Sequence, residues 1–307
     1  MAILITGGTG SLGSYLARKM IIEGFKNIIL FDLKPNYETI KEIVNQVYVE
    51  EGNINYWADL IKIVNKYKIK EIIHLAAGLS TKIKENPYFG FKVNLEGTVN
   101  ILEIARLYNI KKVIFTSSIS TFGLDVDEPV KENYCQRPTN LYGITKVASE
   151  LWGLYYYREY GCDFRALRFP RLVNPGRLKE GIAAYPSLMI ERAIRGQAYE
   201  VEVDQDYQIP IIYIKDAVNS LLLLNKKTVV ETRVYNINGL LPTAKEIVEA
   251  IKKCVPNALL NFSNNPIKPH LAIPLKYDDT KAREELGWKL EYSLEKMIND
   301  FNKEINK

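Results

Sequence analysis

Tyr142 and Lys146 stand four residues apart in Asn140-Leu141-Tyr142-Gly143-Ile144-Thr145-Lys146, so on a helix both leave the same face. An ammonium beside a phenol favours the phenolate and lowers its pKa from about 10. A phenol tuned in this way could take a proton from an alcohol. Upstream, Thr116-Ser117-Ser118 closes the apolar run Val113-Ile114-Phe115, which puts two hydroxyls at the end of a strand, the edge where open α/β sheets bind ligands. Tyr-x-x-x-Lys alone is a weak signal, because exposed Tyr/Lys pairs are common on helices. It gains weight only if something nearby can accept a hydride.

The N-terminal stretch supplies that. The apolar run Ala2–Thr6 enters glycines at Gly7, Gly10 and Gly13 and is followed by an amphipathic run from Tyr15 to Glu23. Strand, tight turn and helix in this order let a pyrophosphate approach the amides of Ser11, Leu12 and Gly13 at a helix N-terminus. After a second apolar run, Ile28-Ile29-Leu30-Phe31, comes Asp32. A carboxylate there suits a ribose diol and repels a 2′-phosphate, so NAD is favoured over NADP. Gly52-Asn53-Ile54 follows a third run, at the expected adenine edge. The run ending His74-Leu75-Ala76-Ala77-Gly78 finishes in small residues, which let a cofactor lie close to the backbone; His74, a lone histidine, reads as structural. Asn94, Ser117 and Phe169 complete the expected cofactor contacts, together with Tyr142 and Lys146. A bound nicotinamide cation would favour the phenolate of Tyr142 further and accept the hydride.

These residues need a scaffold of alternating strands and helices. Strands are expected near 2–6, 28–31, 47–49, 71–75, 112–116 and 164–168, and helices near 12–24, 57–67, 91–108 and 142–160. In the run from Asn94 to Tyr108 the positions Leu95, Val99, Leu102, Ile104 and Leu107 fit a buried face. This alternation predicts an α/β fold: a Rossmann-type doubly wound parallel sheet with a smaller C-terminal substrate lobe. Residues 1–169 form the nucleotide-binding domain, with 209–236 returning to it. Residues 170–208 and 237–307, rich in Pro and Asn, form mainly the substrate lobe.

Composition excludes several function classes. The chain has 307 residues, 47% of them apolar and 25% charged, and 41 basic against 36 acidic residues give a net charge of +5. The charges are interspersed, so nothing calls for nucleic acid or a membrane surface. Cys135, Cys162 and Cys254 are far apart, and His74 and His270 are the only histidines, so neither a disulfide framework nor a metal site is expected. With no basic segment leading into an apolar one at the N-terminus, and no run long enough for a membrane span, a cytoplasmic protein is expected.

The chain resembles the extended short-chain dehydrogenases/reductases, the family of nucleotide-sugar epimerases and dehydratases. The motifs are Thr6-Gly7-Gly8-Thr9-Gly10-Ser11-Leu12-Gly13, His74-Leu75-Ala76-Ala77, Ser117-Ser118 before Phe122-Gly123, Tyr142-Gly143-x-x-Lys146, and a tail from Leu286-Gly287-Trp288 to Leu294-Glu295. The resemblance implies that Ser118 hydrogen-bonds the substrate oxygen, Tyr142 is the base and Lys146 holds the nicotinamide ribose. Asn53 and Ile54 would touch adenine, although the family usually has Asp at Asn53.

Within the family two readings compete. Nucleotide-sugar 4-epimerases carry an arginine for the diphosphate where Ile209-Pro210-Ile211-Ile212-Tyr213 begins here, and an aliphatic side chain cannot balance two phosphates. The short-chain type of L-threonine dehydrogenase is the nearer resemblance. It is carried by Leu75–Lys82, Tyr155–Gly161, Leu167-Arg168-Phe169-Pro170 and Pro210–Tyr213, and it puts Ser80 near the substrate. That group has glycine at Arg171, and Gly-Thr-Thr-Asp-Tyr-Ala where this chain reads Gly181-Ile182-Ala183-Ala184-Tyr185-Pro186. Arg171 and Arg177 could hold a substrate carboxylate or phosphate, which a sugar acid would also offer; an arginine tied to a surface carboxylate is the alternative. The expected activity is hydride transfer from a secondary alcohol of a small polar substrate to NAD. The helices near 94–108 and 142–160 are apolar on more than one face (Ile144, Val147, Leu151, Trp152, Leu154, Tyr155), which suggests a homodimer, with burial under the C-terminal lobe as the alternative.

Overall fold

The computed structural model describes residues 2–124, 126–176, 184–267 and 273–306. The first half alternates as its apolar runs predict: β1 Ala2–Thr6, α1 Ser11–Ile22, β2 Ile28–Asp32, β3 Tyr48–Glu51, α2 Trp57–Tyr67 and β4 Ile69–His74. Two short helices follow, α3 Ser80–Glu85 and α4 Pro87–Gly90, then a π-helical turn Phe91–Glu96 that runs into α5 Gly97–Leu107. Next come β5 Lys112–Ser118, α6 Leu141–Tyr160 and β6 Asp163–Phe169. The rest of the chain contributes β7 Arg171–Val173, α7 Tyr185–Ile194, β8 Tyr199–Val203, β9 Ile211–Tyr213, α8 Ile214–Lys226, β10 Val234–Asn236, α9 Ala244–Cys254, β11 Leu260–Ile267 and α10 Leu294–Ile305.

Among the described residues the main sheet has seven parallel strands in the order β10-β6-β5-β4-β1-β2-β3. The strand order reverses between β1 and β4, which opens the crevice at the carboxyl ends of these strands where ligands bind in such sheets. Successive side chains of β1 enter opposite layers, as a two-residue period requires. Ile3 and Ile5 pack with Leu16, Leu221 and Trp288 under α1 and α8, while Ala2 and Leu4 pack with Leu60, Ile101 and Tyr156 under α2, α5 and α6. Both faces are covered, so β1 is buried throughout.

Three local expectations shift. The run 91–108 is not one regular helix, because a π turn at 91–96 precedes α5 and contains Asn94. Leu107, placed by its spacing on the buried face, is half exposed in the last turn of α5. The seventh strand, β10, spans only Val234-Tyr235-Asn236, too short for periodicity to reveal; it joins the sheet by pairing with β6.

Regions that read as irregular contain regular elements. β7 pairs with β9, and β8 with β11, as two-stranded parallel sheets. They share a third core with α7, α9 and α10, centred on Met189, Val201, Ile209, Ile247 and Phe301. β11 hid its pattern because only Leu260 of its eight residues is fully buried. α9 starts with a capping box between Thr243 and Glu246. No described helix is long and apolar enough to cross a membrane.

Candidate active site

The glycine turn is packed to its limit. Gly7 has φ +66°, and a side chain there would meet the Ala76 amide nitrogen at 2.9 Å; one on Gly13 would meet the Gly7 carbonyl at 2.5 Å. Both positions therefore need glycine. Gly10 caps α1 with no side-chain hydrogen bond, and the first turn of α1, Ser11 onward, contains no acid. These N-terminal amides and their dipole suit a pyrophosphate. Asp32 closes β2 beside this turn, its Oδ2 accepting from the Thr9 hydroxyl at 2.8 Å and from the Thr9 amide at 3.2 Å. The loop after β3 is fixed internally. The Asn53 amide donates to Asp59, Asn53 Oδ1 accepts from the Asn55 amide, and the Ile54 carbonyl accepts from Asn100.

A chain of hydrogen bonds ties the ends of β1 and β4 to the π turn. The Ala76 amide donates to Thr6 Oγ1 at 3.3 Å, and the Thr6 hydroxyl donates to His74 Nδ1 at 2.6 Å. His74 Nε2 then donates to Thr98 Oγ1 at 3.1 Å, whose hydroxyl donates to the Asn94 carbonyl at 2.6 Å. Donors and acceptors alternate along it only if His74 is neutral with its proton on Nε2. Burial, reinforced by the charge of Lys146, pushes the His74 pKa down to about 3. His74 is a cross-brace, as its isolation in the sequence suggested. The Leu75 amide is held by the Thr6 carbonyl at 3.1 Å, and Leu75, Ala76 and Ala77 stay partly exposed at the crevice. Asn94 is buried, with its amide group clasping the Gly78 backbone (2.6 and 3.2 Å) and reaching Thr145 of α6 at 3.3 Å. It joins the loop after β4 to the helix bearing Tyr142.

That helix begins where Asn140 accepts from the Gly143 amide at 2.8 Å. Lys146 is 2% exposed; its ammonium donates to the Thr116 carbonyl at 2.7 Å and lies 4.5 Å from the Phe115 ring centre and 5.6 Å from that of Tyr142. Burial pushes its pKa down to about 7, against a smaller upward pull from Glu150. Strand alternation separates the two serines. Ser118 stays partly exposed, linked to Ser120 through its amide (3.1 Å) and hydroxyl (3.2 Å), while Ser117 is buried and donates to Glu150 Oε1. The Ser117 side chain thus points away from the Ser118 face.

Glu150 and Arg168 were not singled out from the sequence. Arg168 Nε and Nη2 reach Glu150 at 2.9 and 2.7 Å, Gln136 adds a bond to Oε2 at 2.8 Å, and Arg168 Nη1 donates to the Glu132 carbonyl at 3.0 Å. Glu150 lies one turn beyond Lys146, a spacing the sequence contained. Its partner is visible only through the register that sets Ser117 against Arg168 on adjacent strands.

The same register pairs Ser118 with Phe169, which is buried in the sheet core. Arg171 follows two residues later, where its amide donates to the Pro210 carbonyl at 3.1 Å and β7 meets β9. Ser80 is exposed in the first turn of α3, and Arg177 lies outside the described residues. Ile209 is fully buried in the third core, a place for an aliphatic side chain rather than a phosphate-binding arginine. No group of metal-ligating side chains occurs among the described residues.

The chain matches the family described as GDP-mannose 4,6 dehydratase over residues 4–301. It is 30% identical to the mitochondrial L-threonine 3-dehydrogenase of Bos taurus across 96% of this chain and 80% of that one. A GalE-like L-threonine dehydrogenase from Cupriavidus necator, in its holo form, superposes with a TM-score of 0.88 at 28% identity, covering 99% of this chain and 100% of that one. UDP-glucose 4-epimerase of Thermotoga maritima with UDP-glucose superposes equally well, at 0.88 and 27% identity over all of both chains. With nearly its whole length matched by that family and by relatives of this kind, the chain belongs to the GDP-mannose 4,6 dehydratase family, of the extended short-chain dehydrogenase/reductase type.

Proposed function

We propose that this protein is an NAD-dependent oxidoreductase that takes a hydride from the secondary alcohol carbon of a small polar substrate, L-threonine-like or a sugar acid. The observation that carries this reading is the Lys146 ammonium 5.6 Å from the Tyr142 ring, on one face of α6 beside the end of β5. The uncapped start of α1 and the carboxylate of Asp32 fit a dinucleotide. Bound NAD supplies the hydride acceptor. Gly7, Gly10, Ser11, Leu12 and Gly13 hold its pyrophosphate, Asp32 its adenosine ribose, and Asn53 and Ile54 its adenine. Leu75, Ala76, Ala77, Phe169 and the Ser117 backbone line its path. Ser118 donates to the substrate oxygen, and Tyr142 takes the proton from it. Lys146 uses one N–H on Thr116 and has two left, for the phenolate and the nicotinamide ribose.

Residues 170–208 and 237–307 serve mainly as the substrate lobe, with Ser80 and Arg171 facing the substrate. The exposed Ile144, Leu151, Trp152 and Tyr155 of α6 form the pairing face of a homodimer. The free thiols of Cys135, Cys162 and Cys254 suit the cytoplasm.

The test is incubation with NAD and a panel of L-threonine, related hydroxy amino acids and sugar acids. NADH absorbance is the expected outcome. Interconversion of UDP-glucose and UDP-galactose without NADH would replace the reading with an epimerase, and neither reaction would overturn it.

A further inference from the structure

The proposed function leaves open what the substrate offers besides its alcohol. Two phenols beside Arg171 bear on this. Tyr185, in the first turn of α7, is 5% exposed, and Tyr207 packs against it with ring centres 6.4 Å apart. Both hydroxyl oxygens are sealed from the surface and meet no hydrogen-bond partner among the described residues. Buried hydroxyls are normally paired, because leaving one unpaired has a definite cost. Two such hydroxyls on neighbouring rings therefore point to a ligand.

The third member is Arg171. Burial raises the pKa of both phenols, and the positive charge of Arg171 works against that rise at each. Arg171 opens β7 two residues after Phe169, the register partner of Ser118. Tyr207 also lines a cavity of about 470 Å³ with Leu124, Val126 and Ile273. Glu128, on the same cavity, is engaged by the Leu275 amide at 2.7 Å. Asp206, also on it, is exposed.

We infer that Arg171, Tyr185 and Tyr207 form a subsite for an oxyanion on the substrate, a carboxylate or a phosphate, with the two phenols donating to its oxygens. This deepens the dehydrogenase reading and rests on it for the alcohol. A guanidinium with two O–H donors matches a group with several acceptor oxygens and one negative charge or more.

Calorimetric titration of malonate, inorganic phosphate and glycerol into the NAD-loaded full-length protein tests this. At least one anion should bind and glycerol should not. Malonate alone binding identifies a carboxylate, and phosphate alone a phosphorylated alcohol. Arg171→Gln should weaken anion binding by roughly a hundredfold, the worth of charge-assisted hydrogen bonds. Tyr185→Phe and Tyr207→Phe should each weaken it by about tenfold while the melting temperature of the anion-free protein stays level or rises, because an unpaired hydroxyl has been removed. A fall in that temperature would mean that the hydroxyls have a structural role and would overturn their part in the subsite. Binding of neither anion, or equal binding by Arg171→Gln, would overturn the subsite as a whole. NADH formation from a neutral alcohol without anion binding would leave the dehydrogenase reading standing and remove the subsite. Anion binding without NADH formation from any alcohol would do the reverse.

Discussion

The corner between β5 and α6 and the corner around Arg171, two residues beyond the end of β6, are built on opposite plans. In the first, the buried ionic groups are braced from within the chain. Glu150 receives four hydrogen bonds, two of them from Arg168, while Lys146 holds Thr116, and His74 bridges Thr6 and Thr98. In the second, two sealed phenols stand beside a guanidinium with their hydroxyls unpaired among the described residues. Chemistry that is the same for every substrate can be held rigid by internal partners. Recognition has to leave donors for whatever arrives.

The comparison breaks first at Glu150. Glu150→Gln leaves Arg168 buried without a counter-charge, and unfolding by denaturant should show a loss of about 3–5 kcal/mol. Replacing both residues by apolar ones (Glu150→Leu with Arg168→Met) should recover most of that loss, since a buried pair contributes little beyond satisfying itself. A mild effect of the single change would mean that the corner is not internally balanced.

Next in size is the base. Tyr142→Phe keeps the ring and removes the atom that takes the proton. Turnover should fall on the order of a hundredfold or more, with NAD affinity nearly unchanged. Near-normal turnover would sink the assignment.

Lys146 gives a pH signature. It releases its proton at about 7 when folded against 10.5 otherwise, so between those values the unfolded chain carries the extra proton. Stability should therefore rise with pH through that window by about 1.4 kcal/mol per unit, with the full burial cost present below pH 7. In Lys146→Met the melting temperature should lose this slope and exceed the parent's below pH 7. An unchanged slope would show that the ammonium is not buried at a cost.

Smallest is Asp32, at the nucleotide turn. Asp32→Ser should weaken NAD by about tenfold, the worth of one charged hydrogen bond, and relatively favour NADP. Equal turnover with both cofactors in the parent would remove its role as selector.

The sheet and the cradle were legible in the residues alone. Six apolar runs of strand length fixed the six main strands to within a few residues. Gly7 and Gly13 follow from a turn with no room for a side chain, and the Tyr142/Lys146 face from the helix period alone. These are local rules, acting within one element or across one turn. The packing of distant segments, in register, accounts for the rest. It separated Ser117 from Ser118 by giving Glu150 to one of them, paired Glu150 with Arg168, and revealed β10 as a strand only beside β6. It also placed Ile209 in a core and drew Tyr185 and Tyr207 together near Arg171. None of these has a period or a motif, because each rests on which side chain a folded neighbour presents.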